Sequence, residues 1–322
     1  MAAARHYTLG FDLGGTKMQA TVSDRRFRAV GSRRKKTKDY RGARRGLIGI
    51  AETVQEALED AGLRAGQLRG IGIGCPAVLD LDRGVILQAP NLGWRNVPVK
   101  RVLEKSFRCP VVIANDADAG TYGEYRFGAA QNARCVLGVF PGTGIGGACV
   151  YEGKLLRGRV SSYMEIGHIH MQPEGRLCGC GRHGCLEAVA SRLVISSEAA
   201  AAAYRGDAPH LLRAAGTDLS AIRSRALAEA IDAGDTAIED IVQHAAKYLG
   251  VAVASVVNLL APDVIVLGGG LTEAMPHIFL NAVRDAVREQ TMKPFRTAKV
   301  VAAKLGDDAV ALGAAGLVDA TP

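Results

Sequence analysis

Between Glu165 and Glu187 the chain sets one histidine and three cysteines in a short frame: Glu165-Ile-Gly-His168, nine residues, then Cys178-Gly-Cys180-Gly-Arg-His-Gly-Cys185-Leu-Glu187. Ligands of these types at this spacing can close a tetrahedral Zn²⁺ site, and a site whose four positions are all filled by protein is structural. Gly179, Gly181 and Gly184 supply the tight turns that wrap such a loop. Three small buried thiols beside an unrelated histidine would leave those glycines unexplained. His170 and His183 compete with His168 for the fourth position. Structural zinc is worth on the order of 10 kcal/mol, so the loop is expected to be a rigid platform. Glu165 and Glu187 bracket it and offer carboxylates to a partner rich in hydroxyls.

A chain of 322 residues exceeds one typical core, so two domains are expected. Its 48% hydrophobic and 22% charged residues describe an ordinary globular enzyme and exclude a disordered chain. The most apolar stretch, Val251 to Leu267, is interrupted by Asn258, Pro262 and Asp263. No segment reads as membrane-spanning and the N-terminus carries no apolar signal run, so the expected location is the cytoplasm. Seven cysteines, an odd number, argue against a full disulfide framework. Cys75, Cys109, Cys135 and Cys149 fall in apolar runs as reduced, small hydrophobes. The net charge of +8 is local: eleven Lys/Arg against Asp39 in residues 25–45 leave the remainder at −2. That run matches no DNA-binding motif and holds only Phe27 and Tyr40 as aromatics, so it reads as solvated surface.

Strands alternate with helices, the pattern of a mixed α/β architecture. Tyr7–Leu13 and Lys17–Ser23 read as a hairpin around Gly14-Gly15-Thr16, with Phe27–Lys36 as a third strand. Leu47–Ala61 has helical spacing. Ile71–Cys75 and Val111–Ala114 are short buried strands, Val99–Phe107 and Ala117–Arg126 helices. A second strand–turn–strand follows: Val136–Phe140, Pro141–Gly147, Ala148–Tyr151. Beyond Ser191 the chain is Ala-rich and helical, with a long amphipathic segment from Thr236 to Leu260. Val264–Leu267 enters Gly268–Gly270, followed by a helix over Met275–Gln290, a strand over Lys299–Ala302 and a helix over Asp308–Val318.

Three Gly-rich turns that each follow a strand suggest a nucleotide cradle, because glycine lets backbone N–H groups approach phosphate. No Gly-x₄-Gly-Lys-Ser/Thr motif occurs. Gly142-x-Gly144-x-x-Gly147 matches the dinucleotide fingerprint in letters, but a strand follows where that motif needs a helix. Asp12, ending a strand before a Gly turn, can hold Mg²⁺ through water. Asn115-Asp116, at a strand end, places an acid where it could take a proton from a substrate hydroxyl. Asp118 is the rival base, read otherwise as a solvated acid or cap at a helix start.

Taken together, these motifs resemble the ROK family of sugar kinases and regulators (repressors, open reading frames, kinases), within the actin/hexokinase-like ATPases. Asp12-Leu-Gly-Gly-Thr-Lys17 resembles the first phosphate motif, Gly142-Thr-Gly-Ile-Gly-Gly147 the second, and Val264-Ile-Val-Leu-Gly-Gly-Gly270 the adenosine motif. Asn115-Asp116 matches the catalytic pair, and Glu165 to Glu187 the sugar and zinc signature. The resemblance implies a two-lobed, ribonuclease H-like α/β fold with an inserted zinc loop. The small lobe would comprise residues 1–116 with the helix in 308–322; the large lobe, 117–307, would carry the zinc loop and dimerisation helices.

It implies Asp116 as the base, with Asn91, Asn115, Asp116, Glu165, His168 and Glu187 on the sugar. His168, Cys178, Cys180 and Cys185 would hold zinc. Asp12 would orient Mg²⁺. Gly14, Gly15, Thr16, Lys17, Gly142, Thr143, Gly144, Gly268, Gly269 and Gly270 would surround ATP. The implied activity is ATP-dependent phosphorylation of a hexose, glucose first, with N-acetylmannosamine, N-acetylglucosamine and fructose as rivals, by a homodimer. Eleven residues before Asp12 are too few for the helix-turn-helix of the family's repressors; polyphosphate as donor is a further alternative prompted by the basic run. One departure is Ala77 after Pro76, where the family usually has glycine beside the sugar pocket.

Overall fold

The computed structural model describes residues 5–40, 42–158 and 164–320. Arg41 of the basic run, and positions 321–322 of the last expected segment, lie outside the described residues. The first hairpin forms as β1 (Tyr7–Leu13) and β2 (Lys17–Ser23), antiparallel, with Asp12 opposite Gln19. β3 (Ala29–Lys36) adds to β2 as an edge strand. It starts two residues later than expected because Phe27 has φ 57°, a left-handed conformation that breaks a strand. α1 (Ala43–Asp60) begins before Leu47 and draws Arg44 and Arg45 into its first turn.

β4 (Leu68–Cys75) lies parallel to β1. A small antiparallel sheet then follows that the sequence did not announce: β5 (Val78–Asp80), β6 (Val85–Ala89) and β7 (Trp94–Val97). Strands of three to five residues are too short for a period-2 pattern to emerge. α2 (Val99–Phe107) leads to β8 (Val111–Asn115), parallel to β4, and α3 (Asp116–Phe127) leaves its end. The sheet order is β3-β2-β1-β4-β8. β1 and β4 are buried on both faces, so both read as apolar runs. Leu9, Phe11, Ile71 and Ile73 share one core with Ile50, Val54 and Leu58 of α1.

Next come β9 (Cys135–Pro141), β10 (Ile145–Tyr151) and β11 (Lys154–Leu155), the last antiparallel to β10. Helices α4 (Glu187–Ala190), α5 (Arg192–Arg205), α6 (Pro209–Ala215), α7 (Ser224–Asp232) and α8 (Thr236–Leu260) follow. β12 (Val264–Leu267) enters α9 (Gly269–Ala274), then α10 (Pro276–Gln290), β13 (Lys299–Ala302) and α11 (Ala309–Ala320). β12 runs parallel to both β9 and β13. The helix expected from Met275 starts at Pro276, since Met275 itself is non-helical and ends α9. No helix among the described residues is long and apolar enough to cross a membrane.

Two compact units result: Met1–Asn132 with Ala148–Tyr163 and Lys304–Pro322, and Ala133–Gly147 with Met164–Ala303. The boundary expected after Asp116 differs, because α3 stays with the first unit. α3 packs along α11. Glu124 of α3, fully buried, accepts the backbone N–H groups of Ala129, Lys304 and Leu305, each at 2.8 Å. α11 also lies on β1 and β4 at a distance only glycine permits. A Cβ on Gly10 or Gly72 would come within 1.8 Å of the carbonyl oxygen of Ala311 or Ala314. The second unit has its own core, centred on Val242, Leu249 and Val253 of α8 with Phe279 and Val283 of α10.

Candidate active site and metal centre

In the first unit the carboxyl ends of three parallel strands gather the candidate acids. Asp12 is in register with Gly74, and Cys75 with Asn115. The Asn115 side chain caps α3 by accepting the Ala117 N–H at 2.8 Å, and Asp116 Oδ1 lies 2.9 Å from the same nitrogen. Asp116 is thereby fixed at the start of α3. Burial, then the Asp116 charge, push the Asp12 carboxyl from 3.8 up to about 7, opposed by Lys17. Two carboxylates that repel in a sheltered place are suited to share a divalent cation.

The Gly14-Gly15-Thr16 turn beside them is tied down by Thr37, whose hydroxyl donates to the Gly14 carbonyl at 2.7 Å. Lys17 pairs with Asp307 at 2.7 Å. Asn91 packs against this turn: a Cβ on Gly15 would sit 3.3 Å from Asn91 Cβ. Asp118 is 4% exposed, so it is a buried helix residue and not the solvated acid its position suggested. Ala77 is not among the residues of positive φ, and the alanine costs the loop no backbone strain.

In the second unit two Gly-rich turns adjoin. Gly268 donates its N–H to the Val139 carbonyl, and a Cβ on Gly269 would lie 2.7 Å from the Pro141 carbonyl oxygen. Gly268–Gly270 is a turn for one residue only, since α9 starts at Gly269. The Gly142–Gly144 turn is braced by Arg192, whose backbone N–H donates to the Gly142 carbonyl at 2.8 Å and whose guanidinium donates to Thr143 Oγ1 at 2.7 Å.

Glu187 joins this turn to the cysteine loop. Its Oε2 accepts the Ile145 N–H at 3.0 Å, and its Oε1 lies 3.7 Å from Cys178 Sγ. His168, Cys178, Cys180 and Cys185 place one ligand atom each within 4.8 Å of one another. His168 is thus the histidine of the cluster; His183 Nδ1 is instead 3.0 Å from the Gly175 carbonyl. Tetrahedral zinc with its usual bond lengths demands S–S edges of roughly 3.8 Å and S–N edges of roughly 3.6 Å. Cys180 Sγ and Cys185 Sγ are 3.7 Å apart, and Cys178 Sγ is 3.6 Å from His168 Nδ1. The four residues therefore fit a structural zinc ion.

His168 Nδ1 faces the thiols while Nε2 faces Glu165 Oε2 at 4.0 Å. One ring can thus serve a metal and a hydroxyl-bearing ligand through different nitrogens. Burial pushes the Cys178 thiol up to about 12, whereas the Arg182 N–H holds Cys180 down at about 6. The basic run is partly neutralised, Arg33 and Lys35 by Glu56 and Arg34 by Asp307.

A family model described as ROK family matches residues 8–321. A glucokinase of Streptomyces coelicolor is 33% identical over 317 residues, 96% of either chain. The crystal structure of a ROK family glucokinase from Streptomyces griseus with glucose and AMPPNP superposes with a TM-score of 0.82 at 34% identity, covering 97% of this chain and 98% of that one. A xylose repressor of Caldicellulosiruptor bescii is 28% identical over 270 residues, 84% of this chain and 67% of the repressor.

Proposed function

The chain belongs to the ROK family, and on that premise we propose that it is a glucokinase, transferring the γ-phosphoryl group of ATP to the 6-hydroxyl of D-glucose. It is a sugar kinase with the mixed-sheet α/β fold of the actin-like ATPases. The observation that carries the finer reading is the gathering of Asp12, Asn115 and Asp116 at the ends of parallel strands, with the Asp12 carboxyl pushed up by burial and then by Asp116.

In this reading Asp116 accepts the proton of the attacking hydroxyl while Asn115, bonded to the start of α3, keeps that carboxylate oriented. Asn91, Glu165, His168 Nε2 and Glu187 hold the other hydroxyls. Gly14–Lys17 and Gly142–Gly144 receive the phosphates, and Gly268–Gly270 the adenosine. Mg²⁺ would supply charge neutralisation on the phosphates, with Asp12 as its protein carboxylate. Zinc would be held by His168, Cys178, Cys180 and Cys185 and would supply rigidity to the loop in which His168 meets Cys178 and Cys178 lies beside Glu187. The chemistry is then positioning and charge stabilisation, with proton removal contributing roughly 10²–10⁴ in rate.

The test is ATP-dependent phosphorylation of glucose, mannose, N-acetylglucosamine, N-acetylmannosamine and fructose, with Asp116→Asn alongside. The expected result is preferred turnover of glucose that falls at least a hundredfold in the variant while glucose still binds. Preference for an N-acetylated sugar or fructose overturns the substrate. Full activity of Asp116→Asn overturns the base.

A further inference from the structure

Arg192 braces the Gly142–Gly144 turn next to a second cation, Arg223, and among the described residues neither has a carboxylate within ion-pair distance. Arg192 donates two hydrogen bonds to that turn: its backbone N–H to the Gly142 carbonyl and its Nη2 to Thr143 Oγ1. No carboxylate lies within ion-pair distance of it among the described residues; the charge next to it is that of Arg223. Arg223 gives its Nε to the Ser220 carbonyl at 3.2 Å. Its neighbour Ser224 stands over the third Gly-rich turn, 3.5 Å from where a Cβ on Gly270 would be. Partial burial, and then Arg223, push the Arg192 guanidinium below its ordinary range.

Several other arginines of the chain are matched by acids: Arg28 with Asp24, Arg33 with Glu56, Arg176 with Glu198, Arg225 with Glu229. Arg192 differs from the unmatched exposed ones in being half-buried against a second cation. A half-buried arginine held against a like charge is costly unless an anion completes it. A guanidinium carries five N–H donors, and Thr143 takes one.

We propose that Arg192 is a donor-binding residue of the kinase, presenting its remaining N–H groups to the phosphate oxygens of the nucleotide beside the Gly142–Gly144 turn. This rests on the kinase reading above, and Arg223 raises the local positive potential without a direct contact being needed. Thr143 fixes the guanidinium plane, so the arginine meets the phosphates already oriented. Lysine could keep the charge but not the fork that spans Thr143 and a phosphate.

The experiment is calorimetric binding of adenosine, ADP and ATP·Mg²⁺ to zinc-replete wild type, Arg192→Met and Arg192→Lys, with ADP repeated across salt concentrations. Arg192→Met should weaken ADP and ATP at least tenfold, leave adenosine and glucose within twofold, and reduce the salt dependence of ADP binding. Arg192→Lys should recover part of the loss. Equal weakening of adenosine and ADP would place the contact on the nucleoside and overturn the proposal. Equal losses in Met and Lys with an unchanged salt dependence would make Arg192 only a brace for Thr143, and wild-type ADP binding in both variants sinks it outright. Wild-type protein that binds no nucleotide would instead sink the kinase reading, and this inference with it.

Discussion

Replacing Gly144 by alanine should weaken sugar binding, although the turn that holds Gly144 is the one proposed above to receive phosphate. A Cβ at this position would lie 2.4 Å from Glu187 Oε2 and 3.3 Å from its Cδ. The backbone φ there is not in the left-handed region, so alanine meets no conformational penalty and the clash is purely steric. The cheapest relief is rotation of the Glu187 carboxylate. That rotation breaks the 3.0 Å bond from the Ile145 N–H and moves Oε1 from its place beside Cys178. A hydrogen bond to a charged group is worth about 1.5–3 kcal/mol, so a displaced Glu187 should cost between about tenfold and a hundredfold in glucose affinity. The assay is glucose binding without nucleotide, by calorimetry, with zinc content and the unfolding midpoint as controls. Glucose affinity within twofold of wild type, in a variant with intact zinc and fold, would refute either the displacement or the role of Glu187 in holding sugar.

Three further outcomes follow from other parts of the structure. In metal-free buffer the folded chain keeps a proton on Asp12 that the unfolded chain loses from pH 3.8 upward, so stability should fall as pH rises toward about 7. Asp12→Asn should therefore gain up to about 4 kcal/mol at pH 8 and nothing below pH 4; urea titrations at the two pH values check it, and equal stabilities at pH 8 count against it. Glu124→Gln turns an amide NH₂ toward a backbone N–H in a fully buried place. It should lose about 1–3 kcal/mol, read as a lower urea midpoint, and an unmoved midpoint would deny the clamp its importance. Elemental analysis should give one zinc per chain, and Cys180→Ser should lower metal retention and the melting temperature together; a metal-free wild type of unchanged stability would contradict a structural ion.

Most of the site was legible because its chemistry is local in sequence. Asp12 with its Gly turn, Asn115-Asp116, and the cysteine loop each occupy a few consecutive residues, and each sits where a strand end or tight turn puts it. What escaped depends on residues far apart. Nothing near Glu124 announces that its partners are Lys304 and Leu305. Arg192 is unremarkable until its guanidinium is seen on Thr143. Asp118 reads as a solvated helix start until the packing around α3 is known to bury it. The residues alone left His168, His170 and His183 open; the family resemblance pointed to His168, and the loop brings His168, not the other two, to the thiols. The small sheet β5-β6-β7 was lost for a different reason, its strands being shorter than any repeat that could betray them.

The seating of α11 has a consequence for how this protein is made. Its carbonyls fill the space above Gly10 and Gly72, so the face of β1 and β4 that carries these glycines stays uncovered until α11 exists. Roughly 180 residues separate Asn132 from that helix, and at the usual pace of translation they take about 10–40 s to appear. Throughout that interval the nascent chain carries β1 and β4 with this glycine face, and its backbone, uncovered, while the second unit can finish ahead of it. For the first unit the order of synthesis and the order of completion are thus opposed: its strands are made early and closed late.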